Sequence, residues 1–206
     1  MNGMAERNAS MVDVGFALDG ASLPREHRCA LADALESSLP WLIGLPGAGM
    51  HRLNFSASDG PDLLLARRTR LRLRVPRERA NDAATLAGRV LQVGGRRLRV
   101  TAAQPRELLP HNTLYAHAVA ADTQDEGEFL IAVQAELERL GVQARPICGR
   151  HQVWEGDQVQ GFSLMLDGLT IENSLRILES GLGPQRRLGC GLFVAHRSAH
   201  AVGTAH

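Results

Sequence analysis

Residues 68–75 read R-T-R-L-R-L-R-V, and their strict alternation decides the first piece of the fold. Successive side chains of an extended chain point to opposite sides. Arg68, Arg70, Arg72 and Arg74 therefore share one face of a strand, and Thr69, Leu71, Leu73 and Val75 share the other. The apolar face belongs to a core, and Pro76, which has no N–H for a ladder, ends the strand. Upstream, residues 12–18 form a strand closed by Asp19-Gly20. Ser22 then caps a helix over about 24–39, in which Leu31, Leu35 and Leu39 recur every four residues. A loop with Gly44, Pro46, Gly47 and Gly49 leads into a strand over 50–58. Downstream, 77–86 makes a short helix, and strands 89–93 and 96–101 flank Gly94-Gly95, a two-residue hairpin signal.

The second half repeats this order. A strand over 113–121 precedes an amphipathic helix over 127–140 that Gly141 ends. Strands 143–154 and 158–166 pair around Glu155-Gly156, and Thr170 caps a helix running through Glu179. A glycine-rich loop and a last strand over 190–195 follow. Leu18-Asp19-Gly20 and Leu166-Asp167-Gly168 each end a strand ahead of a capped helix. The expected fold is α+β: two tandem ferredoxin-like domains (βαββαβ, RRM-like), residues 1–106 and 107–206, the second carrying a C-terminal glycine-rich loop. In such a domain both helices cover one face of an antiparallel sheet, which leaves the other face for a ligand or a partner domain.

The chain has 206 residues, 44% of them hydrophobic and 22% charged, an ordinary balance for a globular protein. No run approaches the ~20 apolar residues that a membrane span needs. Residues 1–11 hold no apolar signal core, and the three cysteines (Cys29, Cys148 and Cys190) form no C-x-x-C pair or disulfide framework, so the expected location is cytoplasmic. The formal net charge of +1 argues against a polyanionic partner, but the charge is uneven. All 23 basic residues are arginine, the side chain best suited to forking onto phosphate. Residues 63–106 hold 12 arginines against 2 acids, a local +10 that focuses a polyanion on one stripe. The alternation of these arginines reads equally as a solvated sheet face; against that, four like charges along one strand face repel one another, a cost that a bound phosphate chain relieves. Arg97 and Arg99, alternating with Leu98 and Val100, extend the same field.

The stretch 181–198, G-L-G-P-Q-R-R-L-G-C-G-L-F-V-A-H-R-S, is the most distinctive in the chain. Gly181, Gly183, Gly189 and Gly191 surround Arg186 and Arg187. Glycines let a backbone approach phosphates closely and arginines fork onto them; equally, the glycines serve a helix cap and a tight turn. Arg186 to Gly191 also fits the R-x-x-G-x-G signature of acetyl-CoA-dependent N-acetyltransferases, although that motif belongs at a helix N-terminus and this stretch follows a helix.

Together with L-P-R-E-H-R-C-A-L at 23–31, G-A-G-M-H at 47–51, L-Y-A-H at 114–117, S-L-R-I-L-E at 174–179 and L-G-C-G-L-F-V at 188–194, this loop resembles the CRISPR repeat-processing endoribonucleases. These belong to the superfamily of repeat-associated RNA-binding proteins, and the likeness is to the myxan-type branch. The resemblance implies metal-independent cleavage of repeat RNA: a ribose 2′-hydroxyl attacks the adjacent phosphodiester, leaving a cyclic phosphate and a 5′-hydroxyl. It also implies CRISPR repeat RNA, and the subunits of an effector complex, as partners, with no cofactor. A non-catalytic RNA-binding subunit is the second reading.

The reaction needs a base, an acid and positive charge on the phosphorane, and histidine suits the first two because it titrates near neutrality. The family places a catalytic histidine in the first helix or just after it, which points to His27 and His51. At His27 the helix dipole disfavours an imidazolium, as a base requires. The chain lacks the lysine that family sites often add, so Arg28 and Arg52 are the candidates to stabilise the phosphorane. His111, His117 and His151 lack Cys or acid partners at ligand spacing, His196 comes near the C-terminus, and His200 and His206 read as tail, so no metal is assigned.

Overall fold

The computed structural model describes residues 9–154 and 158–196. The Glu155-Gly156 turn and the tail histidines His200 and His206 lie outside the described residues. Strand β1 (Met11–Asp19) turns Val12, Val14 and Phe16 into a core and Gly15 and Ala17 away from it. The chain then makes a short strand β2 (Ser22–Pro24) before helix α1 (Arg28–Ser38). The expected cap at Ser22 is thus corrected. Ser22 donates its hydroxyl to Asp62, and residues 22–24 pair with a strand instead of opening the helix. The expected strand 50–58 is reduced to β3 (Gly49–Met50) and β4 (Ala57–Asp59), the latter turning into β5 (Asp62–Leu64). Strand β6 (Arg70–Pro76) carries the alternating arginines, and a 3₁₀ turn leads into α2 (Ala80–Ala84). Strands β7 (Val90–Val93) and β8 (Arg96–Glu107) form the expected hairpin, with Gly94 and Gly95 both at positive φ as a two-residue turn requires.

These strands build an antiparallel sheet in the order β3-β6-β1-β8-β7, and β2-β5-β4 form a small second sheet. Leu31 and Leu35 of α1 and Ala83 of α2 cover one face of the large sheet, against Phe16, Leu71, Leu73 and Leu98. Strand β9 (Leu114–Ala120), helix α3 (Glu126–Arg139), strands β10 (Arg145–Trp154) and β11 (Val159–Asp167), helix α4 (Ile171–Ser180) and strand β12 (Val194–Ala195) make the other half. Their antiparallel sheet has the order β10-β11-β9-β12. Asp125 and Thr170 cap α3 and α4 by accepting from Glu128 N and Asn173 N. Phe129, Val133 and Leu137 of α3 and Ile177 of α4 pack on Leu114, Phe162 and Leu164, with Phe129 and Phe162 stacked 4.6 Å apart. The last strand is shorter than expected because Cys190 to Phe193 leave the ladder and turn into the interior. The chain is therefore α+β with antiparallel sheets. Among the described residues no helix is long and apolar enough to cross a membrane.

One buried cluster joins the two halves. Arg74 is 1% exposed. Its guanidinium grips both Asp13 oxygens at 2.9 and 3.0 Å and donates to the carbonyls of Leu178 and Phe193, each at 2.9 Å. His51 Nε2 lies 3.1 Å from Asp13 Oδ1, and burial pushes the His51 imidazole below its ordinary 6.5 against the pull of the Asp13 carboxylate. Beside this cluster two glycine-bearing loops meet. A Cβ on Gly49 would stand 2.5 Å from the Arg186 carbonyl oxygen, and one on Gly191, at φ 69°, would collide with the Leu182 carbonyl.

Removing one partner of a buried, hydrogen-bonded ion pair strands the other charge, so Arg74→Ala should cost about 3–5 kcal/mol of stability in denaturant melts. A loss below about 1 kcal/mol, the scale of an exposed pair, would contradict the clamp. Because His51 is lowered in the fold, the unfolded chain takes up its proton first, so stability is full above about pH 6.5 and falls as the pH drops below it. His51→Gln should remove part of that slope between pH 7 and 5, read from melts across the range.

Candidate functional site

The open face of the large sheet sets the site. Gly15 pairs with Arg72 on one side and Gln104 on the other, and Ala17 pairs with Arg70. The small β1 side chains form the floor of a trough of about 350 Å³. Its walls hold Arg52, Arg68, Arg70, Arg72 and Arg106, with Asn54 and Gln104 as the neutral polar members and no acidic residue among the lining side chains. Arg97 and Arg99 are exposed on the same side of β8, beyond the bulge near Leu18 and outside the trough lining.

Arg52 links this trough to two further depressions. The first, about 200 Å³, lies where the two halves meet and is lined by Arg52, Asn54, Arg72, His51, Tyr115 and His117. The second is a cleft of about 520 Å³ whose lining includes His27, Arg28, Arg52, Phe55, His117 and Trp154. The alternation of 51–54 explains why Arg52 occupies all three: His51 and Leu53 are buried while Arg52 and Asn54 are exposed.

His27 is the N-cap residue of α1. Its Nδ1 lies 3.0 Å from the Pro24 carbonyl and 3.1 Å from that of Arg25, so Nδ1 carries a proton. Its ring meets Phe55 edge-on at 5.0 Å. Arg28 is buried one residue later, donates to the Leu188 carbonyl at 3.3 Å, and lies 4.9 Å over the Trp154 ring. Arg52 Nη1 contacts both ring nitrogens of His117. Burial, then the Arg52 and Arg28 charges, lower the His117 pKa to about 4. His117 was not among the expected site residues. The alternation of L-Y-A-H was the available signal, since buried Leu114 and Ala116 put Tyr115 and His117 on the opposite side of β9.

Several of the expected residues stand away from the open face and the cleft. His51 is held against Asp13 in the buried cluster and lines the smaller depression beside Arg52, so the cleft gathers His27 but not His51. Arg74 leaves the arginine comb for the same cluster. Arg186 turns inward and donates to the carbonyls of Ser180 and Gly183, and Arg187 forms ion pairs with Glu36 and Asp33. Gly181, Gly189 and Gly191 are buried, and only Gly183 to Arg187 reach the surface, so the loop spends its glycines on packing and not on an open phosphate cradle. The R-x-x-G-x-G stretch forms a 3₁₀ turn after α4 and opens no helix, which removes the basis of the acetyl-CoA reading.

Comparison with known proteins agrees with this architecture. The family model described as Cas6 Crispr matches residues 12–198. The chain is 37% identical over 186 residues to the CRISPR-associated endonuclease Cas6 of Myxococcus xanthus (strain DK1622), covering 89% of this chain and 80% of that protein. A solved CRISPR associated protein Cas6 superposes with a TM-score of 0.65 at 11% identity, covering 91% of this chain and all of the other. A RAMP protein solved for its binding of different RNA substrates superposes with a TM-score of 0.63 at 11% identity, covering 88% of this chain and 98% of that one. This chain belongs to the Cas6 family, that of the CRISPR-associated endonucleases.

Proposed function

We propose that the chain binds CRISPR repeat RNA along the arginine trough and cleaves it into guide units in the adjoining cleft, without a metal. The observation that carries the reading is the continuity of the two. Five arginines with no acid among their lining partners lead, through Arg52, into a cleft holding His27 and Arg28. An RNA backbone laid in the trough relieves the repulsion among Arg68, Arg70 and Arg72, and its next phosphate reaches Arg52. There the ribose 2′-oxygen attacks phosphorus, the bond to the 5′-oxygen breaks, and the products carry a 2′,3′-cyclic phosphate and a 5′-hydroxyl. Arg28 and Arg52 stabilise the charge that develops on the phosphorane, the kind of preorganised electrostatics that dominates such steps. His27 exchanges a proton through Nε2, because Nδ1 is committed to the Pro24 and Arg25 carbonyls.

The same proposal reads residues 1–106 and 107–206 as two ferredoxin-like domains. The four principal strands of each sheet, numbered in chain order, run 2-3-1-4 in both, with β7 added at one edge. The protein acts in the cytoplasm, where repeat transcripts are made.

Repeat RNA with a single 2′-deoxy substitution at the attacking ribose should bind with near-normal affinity and resist cleavage. Cutting of that analogue at the normal rate would sink the mechanism. Arg70→Ala with Arg72→Ala should weaken binding and flatten the plot of log affinity against log salt by about one unit or slightly less per lost phosphate contact. Arg187→Ala should leave that slope unchanged while lowering the melting temperature, since its side chain is engaged by Glu36 and Asp33. An unchanged slope for the trough variant would move the RNA elsewhere.

A further inference from the structure

The reaction needs two proton-transfer groups and α1 supplies one. We propose that His117 is the second catalytic residue, working across the cleft from His27. This rests on the endoribonuclease reading above. The two histidines come from different halves of the chain, His27 from the start of α1 and His117 from β9, and both line the one cleft together with Arg28 and Arg52. Leu114 and Ala116 of β9 face the core beneath α3 and α4, which puts Tyr115 and His117 on the opposite side of the strand, and the β9 register shifts just after His117. Gln152 of β10 donates to the His117 carbonyl at 2.9 Å, which fixes the strand at this point.

The contact with Arg52 defines the state of the ring. A guanidinium has only protons to give, so its contact with the His117 ring favours the neutral imidazole, in which one nitrogen keeps a lone pair. A neutral imidazole is a proton acceptor, which makes His117 the base. The charged and titratable groups around it are Arg52 and Arg28, then His27, Glu26 and Arg25 in the cleft, with Tyr115, His51 and Arg72 in the adjoining depression. Burial first, then the Arg52 and Arg28 charges, hold the free ring well below its ordinary range. A phosphate between them draws both guanidinium groups to itself, releases the ring nitrogen and offsets their charge, which relieves the part of the depression that the two cations cause.

The step then balances. His117 takes the proton of the 2′-hydroxyl, the 2′-oxygen bonds to phosphorus, the bond from phosphorus to the 5′-oxygen breaks, and that oxygen takes a proton from His27 Nε2. His27 enters the step as the imidazolium, its Nδ1–H held by the Pro24 and Arg25 carbonyls at the α1 N-cap, which reverses the expectation that the helix dipole makes it a neutral base. His117 ends protonated, His27 ends neutral, and exchange with water restores both.

The test is single-turnover cleavage of the protein's own CRISPR repeat RNA by wild type, His27→Ala, His117→Ala and His117→Gln. Each is run on normal RNA and on RNA with sulfur in place of the bridging 5′-oxygen at the cut, because a thiolate leaves without needing a proton. On normal RNA both alanine variants should be slower by about 10²-fold or more, with little change in RNA affinity. The sulfur substrate should restore His27→Ala to near the wild-type rate and leave His117→Ala and His117→Gln slow. His117→Gln keeps a polar acceptor for Arg52, so near-normal cutting by it, or by His117→Ala, assigns the residue a structural role and overturns the proposal, while a slow His27→Ala leaves the nuclease reading intact. Rescue of the His117 variants by sulfur would reverse the assignment and overturn it equally. A wild-type protein that fails to cut the repeat RNA overturns the nuclease reading itself.

Discussion

The buried ion pair between Arg74 and Asp13 is the constraint on which the rest of the structure depends. A guanidinium and a carboxylate are costly to remove from water, and they are retained here with a full set of hydrogen bonds: two to Asp13 and two to main-chain carbonyls of the opposite half. Those carbonyls belong to Leu178, near the end of α4, and Phe193, just before β12. The pair therefore fixes β1 and β6 of one sheet against the final segment of the other. His51 adds a third arm on Asp13, and that contact sets which side of the 51–54 segment faces in. Arg52 faces out as a consequence, at the meeting point of trough and cleft. The position of the central cation of the candidate site is thus inherited from a buried charge pair.

The same logic separates arginines that hold the protein together from those available to a ligand. Arg74, Arg186 and Arg187 have carbonyl or carboxylate partners within the fold, and each closes a junction. Arg72 and Arg106 stand on an open sheet face whose floor is Gly15 and Ala17, and Arg52 and Arg68 project from the connections beside it. Near-neutral overall charge is compatible with such a surface because the second half carries the compensating acids away from it.

Much of the fold was legible in the sequence wherever local chemistry and tertiary packing agreed. The R-T-R-L-R-L-R-V alternation, the Gly94-Gly95 hairpin, and the capped helices α3 and α4 appear close to where their patterns place them. The start of α1 did not follow its pattern, because residues 22–24 find a strand partner in β5 that outweighs the local cap. The segment 50–58 alternates like a strand, yet after Met50 it leaves the ladder to carry Arg52 and Asn54 over the junction. The repeated Leu-Asp-Gly was a weaker guide: the first copy follows the first strand of its sheet, and the second follows the third strand of its own. For the candidate site, the family resemblance pointed to His27 and Arg52, and both line the cleft. His117 was hidden because its partners, Arg52 and Arg28, lie about 65 and 90 residues away, and no spacing rule connects them.

The central claim is that the nucleophile belongs to the RNA and that protein side chains supply only proton transfer and charge. End-group analysis of the products formed in EDTA tests this most directly. The account predicts a 2′,3′-cyclic phosphate on one fragment and a 5′-hydroxyl on the other. A 5′-phosphate with a 3′-hydroxyl would mean that water attacked, and would contradict it.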